Sequence, residues 1–350
     1  MKANPHLRSL LRLPRSQEYL RKSQWTYFGD WHKLIRVLDL EGAVMSILPK
    51  ETGQLIHLRH LGLRHTGLQR FSFSINNLKN LQTLDLRDTR ISRLPNDIWK
   101  MQNLRHLYLH RTAITGRPLD HVSAANLRTL STVSIYGIFV LQAEELSSTL
   151  VKLSSLETLQ LKGTDPILEP ILSLLFKQPH ISKLHLSGAM EKLPDPGHIQ
   201  PNLTKLTLEI SQLAQEPFLT LERLPSLKML RLLSSSFCGK EMACTSEWKI
   251  SGAMPSLRRL IIHECEELCM LPEGLQYLST FREVVIEGMP HEFEARIQRD
   301  NGDDWYKIHH TFNWKNQYQM TAGENILHTW VKAELTPVEQ RLQALALAHN

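Results

Sequence analysis

The sequence predicts an α/β solenoid: short parallel strands stacked side by side on a concave face, with irregular chain and short helical turns behind them. Two observations predict it. Eleven segments fit the pattern L-x-x-L-x-x-L-x-L. The first four keep a fixed period: Leu38, Leu61, Leu84 and Leu107 lie 23 residues apart, each followed two positions later by Leu40, Leu63, Leu86 or Leu109. A fixed period of roughly 20–50 residues marks an array in which no unit buries its apolar face alone and each turn packs on its neighbours.

The anchors continue at Val133, Leu159, Leu184, Leu206, Leu230, Leu260 and Val284, at spacings of 26, 26, 25, 22, 24, 30 and 24 residues. Unequal spacing with a surviving strand motif places the insertions on the convex side. This is the pattern of a leucine-rich repeat, and the expected architecture is a horseshoe of about eleven repeats over residues 31–290. A degenerate earlier copy sits at Leu7-Arg8-Ser9-Leu10-Leu11. Residues 1–30 are expected to cap the N-terminal end, with Trp25, Tyr27, Phe28 and the adjoining Trp31 as apolar material, and residues 291–350 to form a C-terminal cap and tail. Within that tail, Thr336-Pro337-Val338-Glu339 has the order of a helix start, and Val338, Leu342 and Leu345 make a short apolar stripe.

One unit shows the logic. His60 to Arg64 is expected as a strand, with Leu61 and Leu63 inward and His60, Gly62 and Arg64 outward, because strand side chains alternate. Leu55 and Leu58 lead the chain into that strand, and Leu68 and Ile75 close the turn from the convex side. By the same alternation Asp85 lies outward between Leu84 and Leu86, as a solvated position.

Composition narrows the function classes. No apolar run approaches the ~20 residues of a membrane helix, and the start Met1-Lys2-Ala3-Asn4-Pro5 has no apolar signal core. All four cysteines fall between Cys238 and Cys269, sparse usage that suits a reducing, cytoplasmic setting. The formal charge of +6 is modest, and no block of five Lys or Arg occurs, so nucleic acid is not indicated as a partner. The sequon Asn202-Leu203-Thr204 falls on strand-forming positions and reads as incidental.

Several repeats carry Leu-Pro after the strand, as at Leu48-Pro49, Leu94-Pro95, Leu193-Pro194 and Leu271-Pro272. The stretch from Leu94-Pro95-Asn96-Asp97-Ile98 to Leu107 resembles the L-P-x-x-I-x-x-L-x-x-L-x-x-L repeat of plant intracellular nucleotide-binding leucine-rich-repeat receptors, the disease-resistance proteins. Leu34 to Gly42 is similar to the phrase that opens their repeat domain, and Ile262 to Pro272 to their late cysteine-containing units. Phe293 to Ile297 with Gly302 to His310 resembles their closing stretch. Those receptors also carry a P-loop, whose amides cradle phosphate. Here Gly239-Lys240 is followed by Glu241 and no P-loop motif occurs, so the chain resembles the recognition module without its switch. The resemblance implies a protein partner: a pathogen effector, a guarded host protein or a nucleotide-binding switch domain. The rival reading is a generic intracellular scaffold of the Ras-binding type. A ubiquitin-ligase adaptor is a third class, without a visible F-box-like start.

Catalytic and metal motifs are absent. Cys238, Cys244, Cys265 and Cys269 have C-x5-C and C-x3-C spacing, and Cys265 occupies the position where this repeat buries a small polar group. His263-Glu264 and His291-Glu292 do not complete H-E-x-x-H, since Glu267 and Ala295 stand where the second His is required. The sequence therefore predicts no catalytic residue, no cofactor and no structural metal.

What remains is the concave surface. The outward positions of repeats two to five bring Arg64, Arg87, His106, Tyr108, His110 and Tyr136 together. Arg and Tyr are residue types that tend to dominate binding energy, so these six are the candidate partner-binding residues, with a preference for an acidic partner. Arg36, Arg59 and Arg105, just before the strand core, read as structural consensus.

Overall fold

The computed structural model describes residues 9–11, 34–71, 75–91, 94–113, 125–135, 150–163, 166–194, 202–213, 218–221, 223–238, 254–299, 301–311 and 313–316. It contains a single 13-stranded parallel sheet. Its strands, in spatial order, are β1 (Ser9–Leu11), β2 (Val37–Asp39), β4 (His60–Gly62), β6 (Thr83–Asp85), β7 (His106–Ala113), β8 (Thr129–Ile135) and β9 (Thr158–Gly163). The series ends with β10 (Lys183–Ser187), β11 (Lys205–Glu209), β12 (Met229–Leu233), β13 (Arg259–His263), β14 (Glu283–Glu287) and β15 (Asn313–Asn316). At ~4.8 Å per step, twelve steps give a face about 58 Å long. A separate two-stranded parallel pair, β3 (Ile47–Leu48) and β5 (Arg70–Phe71), lies behind it.

The register follows the leucines. Leu38 pairs with Leu61, Leu61 with Leu84 and Leu84 with Leu107. The unit taken as an example is buried throughout: Leu55, Leu58, Leu61, Leu63, Leu68 and Ile75 are at most 2% exposed. The degenerate copy joins the same ladder, with Leu10 opposite Leu38.

The fifth repeat departs from expectation. Leu107 pairs with Leu130, and Leu130 with Leu159, so Leu130 and not Val133 is its first core position. Val133 pairs with Leu161, the second core position. The ladder shifts twice. Tyr108 faces Ser131 while Thr112 faces Val133, which leaves two extra residues in β7; Leu130 and Val133 face Leu159 and Leu161, which leaves one extra in β8. Such insertions locally break a ladder and bend the strand.

Convex turns follow the Leu-Pro signals. Pro49 and Pro95, both extended, lead into 3-10 turns at Lys50–Gln54 and Asn96–Lys100. The longest helix among the described residues, α1 (Glu169–Lys177), has Pro170 in its first turn and buries Ile171, Leu172, Leu175 and Phe176. An asparagine recurs one residue before a buried Leu. The side-chain amides of Asn80, Asn103, Asn126 and Asn202 donate to the carbonyls of Ile56, Lys79, Gln102 and Pro179, tying each repeat to the one before.

Strand exits share a backbone device. The residue two past the second core position has positive φ in many repeats: Gly42, His65, Asp88, Gly188, Ile210, Ser234, Glu264 and Gly288. Its amide reaches the next repeat, as Gly42 to the Arg64 carbonyl at 3.0 Å and Glu264 to the Glu287 carbonyl at 3.0 Å. Glycine takes this conformation freely, whereas β-branched Ile210, at φ 53° and 41% exposed, is strained there. Ile210→Gly is expected to raise stability by up to about 1 kcal/mol, the relieved strain outweighing the chain entropy glycine adds when unfolded. Comparison of urea midpoints checks this; a lower midpoint for the variant would contradict it.

Beyond residue 290 the chain departs from the repeat, and β15 then continues the sheet, with Val284 opposite Trp314. Helices α3 (His291–Arg296) and α4 (Trp305–Ile308) follow α2 (Phe218–Leu221) in chain order. Phe293, Ile297 and Ile308 are fully buried against the core. Gly302 is required by space: a Cβ there would sit 2.2 Å from the Arg296 carbonyl oxygen. The Asp304 carboxylate accepts from the Leu271 amide at 2.8 Å and from Arg296, and lies 3.0 Å from the Lys307 ammonium. Lys307 also reaches the Leu271 carbonyl at 2.9 Å and Glu273 at 2.7 Å. This network welds the closing stretch to the Leu271-Pro272 turn.

The expected aromatic cap of residues 1–30 with Trp31, the helix start at Thr336, and Cys244 lie outside the described residues.

Candidate protein-binding face

The column between the two core positions is less open than alternation predicts. Asp85, Tyr108, Ser131, Thr207, Arg231, Ile261 and Val285 are all under 9% exposed. Neighbouring strands stand close enough for large side chains in one repeat to cover small ones in the next. Gly62 shows this: an added Cβ would meet the Asp39 carboxylate at 2.5 Å. The solvated reading of Asp85 is therefore corrected, since it is 2% exposed and takes the Arg87 guanidinium in a fork, Nε to Oδ1 at 3.0 Å and the terminal nitrogen to Oδ2 at 2.6 Å. Asp85 also accepts the Arg87 amide at 3.1 Å. Asp85→Ala is expected to cost about 1–3 kcal/mol, because it leaves half-buried donors unmatched. A urea midpoint equal to wild type would refute this pairing.

Of the six candidate residues, three form one connected group. The Arg87 guanidinium carbon lies 5.0 Å from the Tyr108 ring centroid. The Tyr108 and His106 rings stack at 6.4 Å and 11°. His106 Nδ1 is 3.1 Å from the Thr129 hydroxyl. Burial, then the neighbouring Arg105 and Arg128 guanidinium groups, hold the His106 imidazole below its ordinary value. Arg64 occupies the column of Arg87, and its guanidinium donates to Glu41 in the preceding repeat. His110 belongs to β7, in the widened part of the ladder. Tyr136 lies outside the described residues, and the shifted register puts Ser134, not Tyr136, beside Lys162.

Column reading missed that charges on this face are already matched across strands. Glu41 meets Arg64, His185 meets Glu209 at 3.1 Å, Arg259 meets Glu283 at 3.0 Å and His263 meets Glu287 at 3.9 Å. The His185 hydrogen bond holds the Glu209 carboxyl at about 2. Most of these pairs are adjacent entries in one column, so the order Glu41, Arg64 and the order Glu283 after Arg259 were available as signals. Toward the C-terminal end the face turns apolar, with Leu233, Ile261 and Val285 in one cluster.

Cys265 is fully buried, with its thiol 3.8 Å from the Leu232 carbonyl and 3.5 Å from the Ser236 hydroxyl; burial pushes that thiol up. Among the described residues, no group of three or more His, Cys, Asp or Glu side chains could hold a metal ion. No described helix is long and apolar enough to cross a membrane.

A stacked parallel sheet with a leucine ladder and asparagine-tied turns defines a leucine-rich-repeat solenoid. Residues 6–165 match the family model described as a leucine-rich repeat region. The structure is similar to that of a leucine-rich-repeat protein of Leptospira interrogans, with a TM-score of 0.58 and 19% identity over 89% of this chain and 79% of that one. The chain is a leucine-rich-repeat solenoid, and the curated proteins it resembles include plant disease-resistance proteins. A putative disease resistance protein of Arabidopsis thaliana is 33% identical over 290 residues, 79% of this chain and 32% of the relative. Disease resistance RPP8-like protein 3 of the same plant is 30% identical over 325 residues, 79% of this chain and 35% of the relative. The chain thus spans about a third of the length of these relatives.

Proposed function

We propose that this chain is a non-enzymatic, cytoplasmic protein-recognition module of plant innate immunity. It would recognise a pathogen effector or a guarded host protein, or restrain a nucleotide-binding switch. The observation that carries this reading is likeness to disease-resistance proteins across most of the chain. The concave residues Arg64, Arg87, His106, Tyr108, His110 and Tyr136 are proposed as partner contacts. The stacked Arg87–Tyr108–His106 group supports this, because rigid aromatic and guanidinium surfaces bind at low entropic cost.

The test is calorimetric titration of the purified chain against the separately purified part of RPP8-like protein 3 that this chain does not span. The relative's own repeat region serves as the positive control. Association that weakens with salt is expected. Silence where the control binds would favour the generic scaffold. Reversal of Arg87 is a poor probe, since it would set a second carboxylate against buried Asp85. The suitable variant is Asp85→Asn with Arg87→Gln, which removes both charges while keeping shape and hydrogen bonding.

A further inference from the structure

We infer that the strand-entry rim, in addition to the concave contacts proposed above, is a docking surface for an acidic protein segment, anchored in a cleft between Arg105 and Arg128. The inference rests on the chain being a protein-recognition module and names where, and for what chemistry, it binds.

The rim is a ladder one residue before the strands. In it each residue's amide donates to the carbonyl of its counterpart in the preceding repeat: Arg59 to Arg36 at 2.7 Å, Arg105 to Gln82 at 2.8 Å, Arg128 to Arg105 at 2.8 Å and Glu157 to Arg128 at 2.9 Å. The same ladder runs on through Ser182, Thr204 and Lys228 to Arg258 and Arg282. Of its eleven positions seven are cationic and one, Glu157, is acidic. Arg36, Arg59, Arg105, Arg128, Lys228 and Arg258 are all exposed. The backbone hydrogen bonds would form with any non-proline side chain, so packing does not require this run of charge. The concave arginines Arg64 and Arg87 are 23% exposed and matched to Glu41 and Asp85, whereas the rim pair of Arg128 with Glu157, at 3.8 Å, leaves both side chains more than half exposed.

A cleft of about 340 Å³ opens on this rim, lined by Arg105, Asn126, Arg128, Ser154, Ser155, Glu157 and His180. Two guanidinium groups flanked by hydroxyl and amide groups suit a carboxylate, which arginine can take in a two-pronged hydrogen bond. The lining holds no Phe, Tyr or Trp, the large rings on which a single-stranded nucleic acid stacks, and only one imidazole, His180. Glu157 also interrupts the positive run that a polyanion backbone would track. Leu34 and Ile56, 51% and 52% exposed, lie two and three residues before Arg36 and Arg59 in the chain. Apolar side chains beside arginine favour a folded or folding polypeptide over a polymer of phosphates.

The test is fluorescence titration of the full chain with a short labelled poly-L-glutamate peptide, with poly-uridine RNA and with phosphatidylserine vesicles. The charge reversal Arg105→Glu with Arg128→Glu should weaken peptide binding at least ~10-fold and flatten its salt dependence. The milder pair Arg105→Gln with Arg128→Gln should do so to a lesser degree, which guards against a folding defect. The convex variant Lys100→Glu with Lys177→Glu should bind within about twofold of wild type. Peptide bound at the cleft should raise the titration midpoint of His106, read by NMR, because it offsets the Arg105 and Arg128 charges that add to burial in lowering it. Four results would overturn the inference: rim variants that bind like wild type, loss confined to the Asp85→Asn, Arg87→Gln pair, an unmoved His106 under saturating peptide, or tighter binding of RNA or vesicles than of peptide. The probe is a polypeptide of known chemistry, so its failure leaves the titration against RPP8-like protein 3 standing, and the converse holds.

Discussion

Asp304→Ala is expected to loosen the C-terminal end of the solenoid by about 3–5 kcal/mol, the usual consequence of removing one member of a buried charge network. Asp304 and Lys307 are each 1% exposed, and the Asp304 carboxylate joins Arg296, Lys307 and the Leu271 amide. Its loss leaves the buried ammonium with only the half-exposed Glu273 carboxylate and the Leu271 carbonyl. Units of a solenoid contact only their neighbours, so the damage should concentrate over residues 271–311. Hydrogen exchange resolved along the chain reads this directly; uniform protection, or protection unchanged at that end, would contradict it.

The same network sets a pH window. Burial opposes ionisation of Asp304, but hydrogen bonds from Arg296, the Leu271 amide and Lys307 outweigh it, so its carboxyl titrates below the ordinary value. That contribution is present above about pH 4 and is lost as pH falls through the folded value. Burial likewise opposes the Lys307 charge, but Glu273 and Asp304 outweigh it and raise its value. That contribution is present below about pH 10 and is lost as pH rises through the folded value. Exchange protection at this end should therefore be flat between the two limits and fall outside them.

Leu84→Ala is the second large effect. Leu84 is fully buried, between Leu61 and Leu107 in the ladder. Both neighbours are held by their own strands and cannot collapse into the space, so the cost should be about 2–5 kcal/mol. A cavity mid-ladder should also split the unfolding transition, since cooperativity passes through repeat interfaces. A single transition with a wild-type midpoint would reject the register.

The fold was legible wherever one residue type repeats at one distance. Leu38, Leu61, Leu84 and Leu107 place four strands without further information. The fifth was misread because Val133 sits two before Ile135 and so imitates an anchor, while the true one, Leu130, keeps the 23-residue step from Leu107. Nothing in the pattern records the two extra residues of β7; only the pairing partner shows them. The left-handed strand exit was partly legible in Gly42, Gly188 and Gly288, but His65, Asp88, Ile210 and Ser234 carry no such mark. The closing Gly302-Asp303-Asp304-Trp305-Tyr306-Lys307 stretch was visible as a phrase, and its reason, a buried charge network, was not.

The candidate surface divides the same way. Sidedness follows from alternation, which sets Arg64, Arg87, His106 and Tyr108 apart from the buried Leu63, Leu86, Leu107 and Leu109. Their partners did not follow, because alternation gives direction and not reach: a long arginine can turn back to Asp85 in its own repeat or across to Glu41 in the preceding one. Arg36, Arg59 and Arg105 looked like consensus for the opposite reason. Regular recurrence resembles a packing requirement, whereas these side chains are exposed and only their backbones hold the ladder.

The central claim is that this solenoid exposes the guanidinium groups of its strand-entry rim while the concave Arg64 and Arg87 are half-buried and held by Glu41 and Asp85. Arginine-specific dicarbonyl labelling of the folded chain, read by mass spectrometry over time, tests it residue by residue. The account predicts that Arg36, Arg59, Arg105 and Arg128 are modified first and that Arg64 and Arg87 lag, slowed by Glu41 and Asp85. Equal rates for the two sets, or earlier modification of Arg64 and Arg87, would contradict it.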